Sequence, residues 1–185
     1  CRNPAQILRR LNYMVKTLLK QDTEHAESDD GLDASIARVQ SSETGGTGKN
    51  ILTFAGAKLP LLYYHNGQVN IIKGDRKNIG YKRSDLNFEF ANHTIEIEKG
   101  MCFYLYTDGY IDQLGGDRKR SFGRKRFREL LTETADLPFE TQKDKLIEAF
   151  ESYRGGQERQ DDVTVAGFGC DNIIQTKNYG ASRIN

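Results

Sequence analysis

The chain has 185 residues, 29% of them charged and 37% hydrophobic, with 27 basic against 26 acidic side chains and a formal net charge of +1. That length suits one domain with a sizeable core, and the near-neutral balance gives no global field toward nucleic acid or an acidic membrane. The longest uninterrupted apolar run, residues 101 to 106, is too short to span a bilayer, and the N-terminus does not read as a signal peptide.

Asn3 before Pro4 reads as a cap followed by a first-turn proline, so the chain enters a helix almost at once. Ile7, Leu8, Leu11, Met14, Val15, Leu18 and Leu19 recur at helical spacing and predict an amphipathic helix over residues 4 to 20. Residues 21 to 30 are polar and acidic, a connection. A short strand is predicted over residues 32 to 39, then a Gly-rich loop at 41 to 50 closing a hairpin with residues 51 to 57. Residues 61 to 64 and 69 to 73 form a second hairpin around His65-Asn66-Gly67. Short strands are expected at 88 to 90 and 94 to 98, with Lys99-Gly100 leading into the apolar run at 101. Helices follow at 125 to 134 and 140 to 153, the latter turning Leu146, Ile147 and Phe150 to the core. Residues 163 to 168 read as a closing strand and 171 to 185 as a polar tail. Many antiparallel strands with segregated helices indicate an α+β fold.

Two runs carry the chemistry: MCFYLYTDG at 101–109 and QDDVTVAGFG at 160–169. Each is an apolar, β-prone segment with carboxylates at one tip, Asp108 leaving the first and Asp161 and Asp162 entering the second. Core strands that present acids at one end can form an oxygen-rich pocket, suited to Mg²⁺ or Mn²⁺. Gly109 permits a sharp turn after Asp108. Either motif alone reads as a buried strand with an acidic turn, since Asp-Gly is common punctuation. The pair together favours the metal reading.

YTDG at 106–109 and DDVTV at 161–165 resemble the last two acidic motifs of the PPM-type metal-dependent serine/threonine phosphatases, in the bacterial SpoIIE/RsbU-like branch. Between them FGRKRFRELL, at 122–131, is similar to the family's phenylalanine-glycine turn and following helix. LTFAGAKLPLLYYHNG at 52–67 resembles its hairpin, and NPAQILRRLN at 3–12 the helix before it. KGDRKNIGY and TDGYIDQLGGDRKRSFG look closest to the SiaA-like subgroup. The resemblance spans most of residues 3 to 169. It implies a phosphatase 2C-like sandwich of two mostly antiparallel sheets flanked by helices, with residues 1–170 as the C-terminal part of the domain.

The resemblance further implies hydrolysis of phosphoserine or phosphothreonine by a metal-activated water, two Mg²⁺ or Mn²⁺ ions being held by carboxylates. Matched motif by motif, Asp108 and Asp161 are ligands, Asp162 is a weaker candidate, and Gly109 belongs to the same metal site as a positional residue. The implied substrate is a phosphorylated signalling protein, of the STAS-domain anti-sigma-factor-antagonist type. The family's opening glycine-aspartate motif, which supplies a third acidic ligand, has no counterpart here. The fold is therefore expected to be incomplete at the N-terminus, and this stretch alone to be weakly active or inactive. The alternative is a catalytically incomplete, phosphatase-like regulatory module that binds a signalling partner without hydrolysis. Acids retained at both strand tips favour the enzyme.

Other constellations weigh less. Asp29, Asp30 and Asp33 in DDGLD read first as a solvated turn, with a supplementary metal site as the alternative. Residues 118–128 carry seven cations interleaved with Phe122 and Phe127. The phenylalanines read as core residues and the cations as a solvated face or a docking surface for a phosphoprotein, ahead of nucleic acid. His25, His65 and His93 stand apart in polar or turn contexts and read as surface residues. GDRKNIG at 74–80 lacks the strand-to-helix context of a nucleotide loop. Three scattered cysteines, Cys1, Cys102 and Cys170, point to a reduced, cytoplasmic setting. No contact with nucleic acid or membrane is expected of this domain, although the parent protein could be membrane-tethered elsewhere. A homodimer is compatible with the resemblance.

Overall fold

The structure is a computed structural model that describes residues 2–23, 28–41 and 49–169. In chain order the elements are α1 (Pro4–Leu18), β1 (Ala34–Ser41), β2 (Asn50–Ala57), β3 (Leu61–His65), β4 (Gln68–Ile72), β5 (His93–Ile97), β6 (Cys102–Tyr106), α2 (Asp108–Asp112), β7 (Leu114–Gly115), β8 (Arg120–Ser121), α3 (Arg124–Thr134), α4 (Phe139–Arg154) and β9 (Val165–Gly169). The residues fall into two compact units, Cys1–Leu61 with Ile72–Glu98, and Leu62–Ile71 with Lys99–Asn185. The α+β class is the expected one. Among the described residues no helix is long and apolar enough to cross a membrane. His25, the Gly-rich loop at 42–48 and the tail lie outside the described residues.

The first unit holds a three-stranded antiparallel sheet, β1-β2-β5, with β2 in the middle. Register runs Ala34↔Ala57 on one side and Phe54↔His93 on the other. Helix α1 starts where the sequence places it: the Asn3 side chain accepts from Gln6 N at 3.2 Å and Pro4 follows. Its apolar stripe is narrower than the spacing predicts. Ala5 and Leu8 pack with Ala55, Ala57, Ile79 and Phe90, whereas Met14, Leu18 and Leu19 are exposed. The rest of the buried face is polar. Asn12 donates to Asp85 O and accepts from Gly80 N, and Lys16 Nζ donates to Lys82 O (2.8 Å) and Ser84 O (2.7 Å). The helix rests on irregular backbone there, and buried carbonyls need donors more than they need methyl groups. The strand expected at 88–90 is absent; Phe88 and Phe90 instead form an edge-to-face pair with ring centroids 5.0 Å apart.

The second unit holds the sheet β4-β3-β6-β9, in which β6 and β9 run antiparallel with Tyr106 opposite Val165. The β3–β4 hairpin turns on Asn66 and Gly67 at φ of 50° and 81°, the left-handed pair that such a two-residue turn requires. Tyr110 is fully buried at the core centre, 4.8 Å from Phe127, 5.2 Å from Phe122 and 5.1 Å from Phe150, centroid to centroid. Its hydroxyl donates to Leu146 O at 2.8 Å, and Tyr104 donates to Gln142 Oε1 at 2.9 Å. Burial raises the pKa of both phenols. Leu146 and Phe150 are buried as expected, while Ile147 is only half-buried. Phe122 and Phe127 are core residues, as their spacing implies. The short helix α2 and the β7–β8 ribbon were not among the predicted elements; each is too short to show a hydrophobic period.

Candidate functional site

Strand β6 ends at Tyr106, and Asp108 opens α2 two residues later. Thr107 between them is extended (φ −88°, ψ 158°) and stitches this junction to the chain entering β9. Its N–H donates to Thr164 O at 3.0 Å, its hydroxyl donates to Asp162 O at 2.8 Å, and the same hydroxyl accepts from Thr164 N at 3.0 Å. Both acidic motifs thus meet across the sheet by main-chain contact. Gly109 makes this possible: a Cβ there would lie 2.4 Å from Asp162 O and 3.0 Å from Asp162 C. The glycine is needed for close approach.

Asp108, Asp161 and Asp162 are exposed, whereas Gly109 is buried. Asp161 Oδ1 accepts from Asp162 N at 2.7 Å, which fixes the first carboxylate against its own loop. The far end of α2 is tied down as well. Phe122 N donates to Gln113 O (2.9 Å) and Gly123 N to Ile111 O (2.8 Å), so the phenylalanine-glycine turn clamps the helix that begins with Asp108. Gln113 is 2% exposed, and its amide donates to Leu114 O and to Glu158 O, both at 3.0 Å. It therefore links α2 to the loop that leads into Asp161. Thr107 and Gln113 were not singled out in the sequence, although a Thr directly before an acid at a strand end is a recognisable helix-start signal.

The basic segment divides. Arg118, Lys119 and Arg120 are exposed on the β7–β8 ribbon. Arg126 lies over the Tyr153 ring at 5.1 Å and donates to Phe122 O at 2.9 Å, which makes it part of the packing. Arg128 donates to Val69 O at 2.9 Å. In the first unit, Asp29 Oδ1 accepts from Lys82 N at 2.8 Å, so that acidic turn braces a loop. His93 stands on β5 beside Phe54, at 6.2 Å between ring centroids. Among the described residues no group of three or more His, Cys, Asp or Glu side chains is placed to hold a metal ion. The acids that are present suit a hard, oxygen-preferring cation; Cys102 is buried in the core and offers nothing to a thiophilic one.

The sequence model of the family described as Stage II sporulation protein E (SpoIIE) matches residues 1–169. The chain belongs to this family. Among solved structures, the SiaA-PP2C domain of Pseudomonas aeruginosa is 28% identical, with a TM-score of 0.75 over 92% of this chain and 62% of that one. The chain therefore spans 62% of the length of that relative. Two more distant structures share the fold. PppA of Pseudomonas aeruginosa, described as a key regulatory component of T6SS, is 13% identical, with a TM-score of 0.52 over 85% of this chain and 65% of that one. The S. agalactiae serine/threonine phosphatase is also 13% identical, with a TM-score of 0.51 over 88% of this chain and 67% of that one. No curated protein matches the chain. The mixed fold of antiparallel sheets and helices is that of PP2C-like phosphatases.

Proposed function

We propose that this SpoIIE-family chain supplies part of the metal site of a Mg²⁺- or Mn²⁺-dependent phosphatase acting on phosphoserine or phosphothreonine. One observation supports the reading above the others: Gly109 packs on the Asp162 carbonyl and so joins the two acidic motifs at one end of β6 and β9. In this proposal Asp108 and Asp161 hold the cations, Asp162 assists, and Gly109 is positional. Thr107 fixes where Asp108 leaves the strand. The bond from Asp162 N orients Asp161 and leaves its second oxygen available to a cation. Mg²⁺ or Mn²⁺ bound there would lower the pKa of a water and offset charge on the phosphoryl oxygens.

The substrate in this proposal is a phosphorylated signalling protein of the STAS-domain, anti-sigma-factor-antagonist type, and the setting is cytoplasmic. The test is Mn²⁺-dependent release of phosphate from such a phosphoprotein by the full-length protein that contains this chain. Asp108→Ala and Asp161→Ala should each lower turnover by at least about a hundredfold, since losing a residue that merely supports a metal ligand already costs about ten- to a hundredfold. Unchanged turnover in either variant would sink the assignment. The second reading, a module that binds without hydrolysis, draws on the two acidic motifs lacking a third acidic partner among the described residues. It predicts phosphoprotein binding with no Mn²⁺-dependent turnover in the full-length protein.

A further inference from the structure

A groove of 510 Å³ runs between the β3–β4 turn and one face of α3, wholly within the second unit. Gly67, Gln68 and Val69 form one wall, and Arg124, Lys125 and Arg128 stand on the other. The bond from Arg128 Nη2 to Val69 O joins the walls, so the groove is already formed. Its charge is uneven. Arg124 and Lys125 stand in the first turn of α3 and Arg128 in the second, while Glu129 and Glu133 lie further along the same wall; Lys125 Nζ is 3.8 Å from Glu129 Oε1, an exposed pair that offsets only part of its charge. No acid stands in the first turn of α3 and no base in the last. This order opposes the helix dipole, which favours acids at the start and bases at the end, so it costs the helix stability. Charges kept where they weaken their own helix are expected at functional positions.

The cationic end is also the end tied to the candidate site. The bond from Gly123 N to Ile111 O, at 2.8 Å, pins the start of α3 to α2. Helix α2 spans about 7.5 Å, a distance that roughly two to three extended peptide residues can bridge.

We propose that this groove docks an acidic stretch of the protein substrate that flanks the phosphorylated residue, with Arg124, Lys125 and Arg128 as the recognising groups. The inference rests on the phosphatase reading for its substrate class but not for its binding test. Charge complementarity selects the occupant: an acidic segment gains at the start of α3 and is repelled by Glu129 and Glu133 beyond it.

The test uses the 185-residue chain and short fluorescein-labelled peptides, read by fluorescence anisotropy at low salt. One peptide carries Asp and Glu beside a phosphoserine, one has plain serine in its place, and one has the acids replaced by Gln. Both acidic peptides should bind more tightly than the Gln peptide. Arg124→Glu with Lys125→Glu should weaken them about tenfold, and Glu133→Lys should strengthen them. Because these side chains are on the surface, the gain expected of Glu133→Lys guards against misreading a folding defect. Equal affinity for the Gln peptide, an effect of the double reversal within twofold, or tighter binding of a single-stranded oligonucleotide of equal charge would each overturn the groove assignment. The plain-serine peptide needs no hydrolysis. Its binding to the 185-residue chain, together with no Mn²⁺-dependent turnover by the full-length protein, would therefore count against the phosphatase reading alone.

Discussion

The hydroxyl of Thr107 donates to the carbonyl of Asp162 at 2.8 Å, across the two strand ends that carry the acidic motifs. The same oxygen accepts from Thr164 N at 3.0 Å, so one side chain completes two bonds where the sheet ladder stops. The strand-to-helix turn before Asp108 and the loop carrying Asp161 are thereby fixed to each other.

Thr107→Val keeps the shape and removes both bonds. It should destabilise the fold by about 1–3 kcal/mol, because Thr164 N and Asp162 O lose their protein partner. Thr107→Ser should restore most of the loss. Urea denaturation of the three proteins would check this, and a Val variant as stable as wild type would count against the stitch.

Gly109→Ala places a methyl group 2.4 Å from Asp162 O, where backbone stands in the way and no flexible side chain can yield. The strand tips must part, at a cost of about 1–3 kcal/mol. The expected signature is a lower thermal midpoint together with reduced Mn²⁺-dependent turnover in the full-length protein. A crystal structure of the variant showing unmoved Asp161 and Asp162 would refute it.

Arg118, Lys119 and Arg120 are exposed on the β7–β8 ribbon, apart from the α3 groove residues. Replacing the three with Gln should raise KM for a phosphoprotein more than for p-nitrophenyl phosphate, because only a large substrate reaches the ribbon. The difference should shrink with added salt, which screens exposed charge over about 8–10 Å. Equal effects on both substrates would place the ribbon's influence nearer the metal site.

Burial raises the pKa of Tyr110 above the usual value of 10.0. The folded state therefore keeps this proton at pH values where the unfolded chain has released it. The stabilising contribution is complete below pH 10 and declines as pH rises from there toward the raised folded value. Tyr110→Phe should flatten the fall in stability above pH 10, while costing about 1 kcal/mol near neutrality for the lost bond to Leu146 O. Parallel stability curves for the two proteins at high pH would contradict this.

The apolar runs at 102–106 and 165–169, the Asn3-Pro4 helix start and the Asn66-Gly67 turn were legible in the sequence because each depends on local conformational preference or short-range periodicity. The acids at the strand tips were legible for the same reason. What lay beyond reach was whatever depends on a distant partner. Met14, Leu18 and Leu19 match the period of a buried stripe, yet they are exposed because α1 turns Asn12 and Lys16 toward the carbonyls of Lys82, Ser84 and Asp85. The basic run 118–128 reads as one surface, yet Arg126 is held by Tyr153 and Arg128 by Val69. Gly109 reads as a turn residue, but it is the contact with Asp162, 53 positions away, that requires it to lack a side chain. Local sequence sets which segments become strands and helices; which of their polar atoms are used up in packing, and which remain at a site, is decided only when distant segments meet.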